Sequence, residues 1–172
     1  ILYKHYGGIS TLIINNAYLP SLTNFNFNSY IYNNSGKIDL SHVELNDWIT
    51  PSLTSLDHAF SGFTKAKTIQ FKNLNTASVT TMSSAFNGCS LVVELDVSTF
   101  LTNNVTDFSS MFYGCAKVES LDLRSFNTSL ITTMENMFYN CSTLNRIHYP
   151  NWDLSNCTNA TQMFYNCQAL TN

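Results

Sequence analysis

Charge is what this chain has least of. Lys, Arg, Asp and Glu together make up 11% of its 172 residues, less than half the share of about 25% usual in soluble domains. The eight basic residues are scattered and the formal net charge is −3. Readers of nucleic acid need clustered Lys and Arg, so neither nucleic acid nor an anionic membrane surface is indicated as a partner. Long apolar runs are missing too. No stretch approaches the ~20 residues that cross a bilayer, so this segment is not expected to insert in a membrane. There is no C-x-x-C, G-x-S-x-G or H-E-x-x-H, and no glycine run that would cradle phosphate. His42 and His148 lie about 19 Å apart at ~4.8 Å per stacked strand, too far to share a metal. His58 reads as a surface residue. These absences predict a protein that is not an enzyme, with no catalytic residue, no metal and no cofactor. Asn, Ser and Thr supply the polar surface instead.

What is present is a repeat. Phe60, Phe86, Phe112, Phe138 and Phe164 are each 26 residues apart, as are Cys89, Cys115, Cys141 and Cys167. A period of this length marks a solenoid, in which each unit buries its apolar face against its neighbours. Within one repeat, 131–156, two rhythms follow each other. Ile131, Met134, Phe138 and Cys141 have offsets 0, 3, 7 and 10, which fall within an arc of about 80° on a helical wheel. Thr132 with Glu135 reads as a capping box, and Thr54 with Asp57 as a weaker one. Gly88, Gly114, Asn140 and Asn166 share one register and suit a left-handed helix end. The second rhythm, Leu144, Ile147, Tyr149 and Trp152, is the L-x-x-L-x-L-x-x-N strand skeleton of a leucine-rich repeat, with an aromatic in place of asparagine. The same skeleton runs back through Val118–Phe126, Val92–Phe100, Ala66–Leu74 and Leu40–Trp48. It reaches Ile14, Ala17, Leu19 and Leu22. Near the start the helical half is degenerate: Phe27, Tyr30 and Gly36 keep the register and Asn34 breaks it. Packed rings are expected to replace the asparagine ladder.

Together the halves predict an α/β fold, a right-handed leucine-rich-repeat solenoid with one short strand and one short helix per repeat. A parallel β-helix is the competing architecture. Residues 1–13 read as a degenerate segment or cap, 14–52 as divergent repeats and 53–172 as regular ones. With Leu170 opening another strand, the chain reads as a fragment of a longer protein.

The run VTDFSSMFYGCAKVESLDLRSFNTSL at 105–130 resembles the 26-residue repeat of bacterial surface proteins, the BspA-like leucine-rich-repeat family. The likeness is strong over 79–170, recognisable over 53–78 and only a skeleton over 14–52. It implies a secreted or surface-anchored protein, and members of that family are thought to act in adhesion. The resemblance names a scaffold and not a ligand.

The four cysteines in register read as a ladder of reduced, buried thiols acting as small hydrophobes, and Cys157 as a fifth apolar position. Disulfides between coils would require Cα atoms within about 4.4–6.8 Å, closer than helices ~10 Å thick allow. Six N-x-S/T sequons (Asn33, Asn104, Asn127, Asn140, Asn156, Asn159) arise from the repeat's composition.

Residues between the buried skeleton positions point to solvent. The central row is Tyr18, Glu44, Gln70, Asp96, Asp122 and His148. The row before it is Asn16, His42, Thr68, Glu94, Ser120 and Arg146. The row after is Pro20, Asn46, Lys72, Ser98, Arg124 and Pro150. These rows vary while the buried rows repeat. The expected partner-binding face is therefore Glu44, Gln70, Glu94, Asp96, Asp122, Arg124, Arg146 and His148. It would serve an extracellular or cell-surface adhesion module whose partner is a protein or glycan on a host or neighbouring cell. The alternative is a structural spacer or assembly solenoid with no ligand of its own.

Overall fold

A computed structural model describes residues 11–27, 40–149 and 151–171 of the chain. Tyr30, Asn33, Asn34, Gly36, His5 and Pro150 lie outside the described residues. Six short strands follow in order: β1 (Thr11–Asn15), β2 (His42–Asn46), β3 (Thr68–Lys72), β4 (Glu94–Leu95), β5 (Ser120–Asp122) and β6 (Arg146–His148). Every pairing is parallel, with β1-β2-β3-β4 in one sheet and β5-β6 in a second. Each strand opens one coil of a solenoid, so the strands give the coils their numbers. On the other flank a second parallel ladder of single bridges runs Asn24–Ser55–Thr81–Asp107–Thr133–Asn159.

The first coil departs from the expected register. Thr11 pairs with His42, an offset of 31 residues, whereas His42 pairs with Thr68 at 26. The neighbours of Val43, Leu45 and the outward Glu44 are thus Leu12, Ile14 and Ile13. The skeleton Ile14, Ala17, Leu19, Leu22 and the outward residues Asn16, Tyr18 and Pro20 were placed five residues too far along.

The expected helices are not there. No described residue from 40 to 171 is helical. Between Met134 and Leu144 the chain makes successive reverse turns instead. Met137 N–H donates to Met134 O, Tyr139 to Asn136, Cys141 to Phe138 and Leu144 to Cys141, all at 3.1–3.2 Å. The intervening N–H groups of Met134, Asn136, Phe138 and Asn140 donate to carbonyls of the next coil at 2.8–2.9 Å, where a helix would send them four residues back. Two left-handed residues per coil allow this. One row is Gly62, Gly88, Gly114, Asn140 and Asn166, the last four as expected from sequence. The other is His58, Ser84, Ser110, Asn136 and Gln162, with φ of 53–55°. A left-handed residue at the third position of a four-residue turn is the type II requirement. A train of such turns brings every third or fourth residue inward, the spacing a helix also shows. The buried set Ile131, Met134, Met137, Phe138, Cys141 and Leu144 fits both readings.

The capping boxes fall with the helices. Thr132 and Thr54 hydroxyls donate to the carbonyls of Thr106 and Thr23 in the preceding coil. Glu135 N–H is taken up by Thr133 Oγ1.

Turns are thinner than helices, and the coils stack as closely as strands. Phe60, Phe86, Phe112, Phe138 and Phe164 form one column with ring centroids 5.3–5.7 Å apart and ring planes within 9° of parallel. Helix layers would stand ~8–10 Å apart, so the wedge that bends a strand-and-helix solenoid is nearly absent. The aromatics at the last skeleton position turn inward instead of stacking on each other. Phe100 meets Phe71 and Phe126 meets Phe108. The asparagine ladder's task falls to a buried threonine row. Thr76 Oγ1 donates to Leu101 O and accepts from Leu101 N–H, and Thr102 Oγ1 does the same with Asn127.

All five cysteines are free. Cys89, Cys115 and Cys141 are buried, and burial pushes the Cys89 and Cys141 thiols up to about 12. Each thiol donates to the carbonyl of the phenylalanine 29 residues earlier, at 3.0–3.3 Å. Cys167 repeats the bond but is only half-buried, as is Cys157.

Candidate functional site

The outward face of the strands carries the candidate site, because the strands alternate. In β2 and β3 the residues Val43, Leu45, Ile69 and Phe71 face the core, and His42, Glu44, Asn46, Thr68, Gln70 and Lys72 face out. From the second coil onward the expected rows hold. Glu44 pairs with Gln70, Thr68 with Glu94, Ser120 with Arg146 and Asp122 with His148. Gln70, Glu94, Asp96, Arg124, Arg146 and His148 are exposed, and Glu44 and Asp122 partly so. Among the described residues no ladder joins β4 to β5, so Glu94 belongs to one sheet, with Asp96 just past its strand, while Asp122, Arg146 and His148 belong to the other, with Arg124 just past β5.

Two polar clusters occupy this face. Around β2, Asn46 Nδ2 donates to Glu44 Oε1 at 2.5 Å and to Asn15 Oδ1 at 2.9 Å. His42 Nε2 lies 3.5 Å from Glu44 Oε2, and its Nδ1 meets Thr68 Oγ1. The Asn46 hydrogen bond, with help from His42, holds the Glu44 carboxyl below the usual carboxylate range. Just past the end of β5, Arg124 grips Asp122 with two bonds, Nη2 to Oδ2 at 2.6 Å and Nε to Oδ1 at 2.9 Å. That grip takes the Asp122 carboxyl down to about 2. Residues two apart on a strand share a face, so this pair was open to sequence reading as a neutralised couple. The acidity that remains uncompensated is at Glu94 and Asp96, with Arg146 and His148 two coils further on. The face thus changes sign along the solenoid axis.

His58 touches only its neighbour Asp57, at 2.8 Å on the surface. No group of three His, Cys, Asp or Glu able to hold a metal occurs among the described residues, and none of their helices is long and apolar enough to cross a membrane. Ile13, at the head of the central row and half exposed, was missed because the first coil's register was misread.

The chain is a strand-and-turn solenoid with a polar, variable strand face. Residues 54–172, more than half of the chain, match the family described as Mycoplasma protein of unknown function, DUF285, and the chain belongs to that family. It is similar in fold to a leucine-rich cell surface protein from Faecalibacterium prausnitzii, with a TM-score of 0.58 and 16% identity. That match covers 97% of this chain and 48% of the other, so the chain spans about half the length of the solved structure it resembles. No curated protein matches the chain.

Proposed function

We propose that this solenoid is a cell-surface or secreted binding module that lays an extended protein or glycan across its strand face. The observation that carries this reading is the contrast between the two sides of each coil. Buried rows stay apolar and the Phe60–Phe164 column is invariant, while Glu44, Gln70, Asp96, Asp122 and His148, outward at equivalent positions, vary along the axis with aspartate recurring at 96 and 122. The surface location of the Faecalibacterium protein and the resemblance to BspA-like repeats support the same reading. Side chains presented every ~4.8 Å suit a long partner and not a small molecule. Charge on such a face guides the encounter more than it sets affinity, so binding should weaken with salt.

The spacer reading has one observation in its favour: Asp122–Arg124 and the Glu44 cluster satisfy one another internally. The test is binding of the chain to host-type cells and to a glycan array, with Asp96→Lys and Arg146→Glu as reversals. The module reading expects folded variants with binding reduced tenfold or more. Unchanged binding in both variants, with loss on Tyr113→Ala or Tyr139→Ala across the turn side, would place the interface elsewhere. No binding by the parent to any surface would favour the spacer.

A further inference from the structure

Each phenylalanine of the buried column is followed by a residue that turns out of the core: Ser61, Asn87, Tyr113, Tyr139 and Tyr165. In the fourth and fifth coils this residue is tyrosine, fastened at both of its backbone groups. The N–H groups of Tyr113 and Tyr139 donate to Ser110 O and Asn136 O at 3.1 Å, and their carbonyls accept from Gly88 and Gly114 at 2.7 Å. The backbone here repeats by translation and the rings follow it. Their centroids are 4.8 Å apart and their planes within 1° of parallel. Phe112 and Phe138, beside them in the core, stand 5.5 Å apart at 9°. The tyrosines are offset-stacked, with like edges of two phenols side by side.

These two phenols are also what an oxidant in solution would meet first. Both rings are half-buried with their hydroxyl ends in water. The sulfur side chains of the same two coils, Met111, Cys115, Met134, Met137 and Cys141, are all buried, and oxidation of sulfur follows exposure. No other tyrosine, and no tryptophan or histidine, occurs from 94 to 145. Desolvation, and then the phenols on either side, hold the Tyr139 hydroxyl above its ordinary range. At neutral pH it therefore gives up its proton only together with an electron.

We propose that Tyr113 and Tyr139 form a covalent modification site, where a peroxidase-class oxidant using hydrogen peroxide joins the two rings and staples the fourth coil to the fifth. Each phenol loses one electron and its hydroxyl proton. The two phenoxyl radicals pair their electrons in a new bond between ring carbons ortho to the oxygens. The hydrogens on those carbons then move to the oxygens and restore both aromatic rings. Two hydrogens leave in all, and hydrogen peroxide is reduced to two waters. In a solenoid each coil is held only by its neighbours, so a bond at an internal junction keeps two coils from separating. The site lies on the turn side and is independent of the strand-face reading.

The test treats the whole chain, in dilute solution, with a peroxidase and hydrogen peroxide. Dityrosine fluorescence gives the yield, and mass spectrometry of proteolytic fragments gives the position. The expected product is a monomer lighter by two hydrogens, with 113 joined to 139. Tyr113→Phe keeps the stacked ring and the fold but lacks the hydroxyl, and should lower the yield of this link at least tenfold. Tyr149→Phe, at an exposed ring packed on Trp152, should leave it unchanged. Unfolding the chain in denaturant before oxidation should lower it at least tenfold as well. No link at 113–139 in the folded chain overturns the proposal. So does a main product joining two chains, a link confined to 139–165, where the rings lie at 17°, or a yield that survives denaturation.

Discussion

The turn side and the strand side of each coil are built from the same backbone, yet they divide the work unequally. The turn side makes four inter-coil bonds at junction after junction and buries a continuous column of phenylalanines. The strand side shrinks from five residues in β2 and β3 to two in β4, and its sheet is broken before β5. Its outward residues vary along the axis, with aspartate recurring at 96 and 122. The lesson is that the rigid half of this solenoid is the half without regular secondary structure. Freed of that duty, the strand face can vary.

The largest expected effect tests where that rigidity lies. Phe112→Ala removes a fully buried ring from the centre of the column and should cost about 3–5 kcal/mol of unfolding free energy. Phe164→Ala, at a ring that is 44% exposed, should cost less than half as much. Equal losses in denaturant melts would show that the column does not bear the load assigned to it.

The threonine row sharpens the comparison. Thr102 Oγ1 both donates to Asn127 O and accepts from Asn127 N–H, so Thr102→Val should cost about 1–3 kcal/mol by orphaning two backbone groups. Thr128 lies in the same register, but its buried hydroxyl has no partner. Thr128→Val should then be neutral or slightly stabilising. The difference between the two variants measures the ladder itself. Similar values at both positions would mean the hydroxyl bonds contribute nothing.

Gly114 tests the turns. Its φ is +68°, and a Cβ there would meet the Gly88 backbone, Cα at 3.9 Å and N at 4.0 Å, ordinary contacts. Gly114→Ala should therefore cost about 1–2 kcal/mol from backbone conformation alone, and Asn140→Gly should cost nothing. A penalty much above that range would mean crowding and not conformation.

The sequence carried the period, the inward rows and, from the second coil on, the outward rows. These follow from repetition at 26 residues and alternation along a strand. The helices were misread because reverse turns in series also bury every third or fourth residue, as Met134, Met137 and Cys141 do. The clue lay in the second left-handed row. His58, Ser84, Ser110, Asn136 and Gln162 share a register that no helix interior would need. The first coil misled because its five extra residues sit where the likeness to the repeat is weakest. The buried threonine row, at Thr50, Thr76, Thr102 and Thr128, was in plain view at 26-residue spacing. Thr76 and Thr102 bond to a backbone one coil away, which no local pattern announces, while Thr50 and Thr128 have no partner.

The smallest expected effect belongs to the strand side. Asp122 is held at about 2 by the Arg124 guanidinium, below the ~3.9 of an unfolded aspartate. A carboxyl whose folded value is lowered adds stability above its unfolded value and loses it as pH falls through the folded one. The Asp122–Arg124 contribution should be complete above about pH 4 and vanish between pH 4 and 2. Arg124 is mostly exposed, so solvent screens the pair and the gain is small. Unfolding free energies of the parent and of Asp122→Asn should differ slightly at pH 6 and converge near pH 2, with salt shrinking the gap. A gap at pH 6 as large as that of Thr102→Val would overturn the division of labour, because the strand side would then hold the coils together as firmly as the turns.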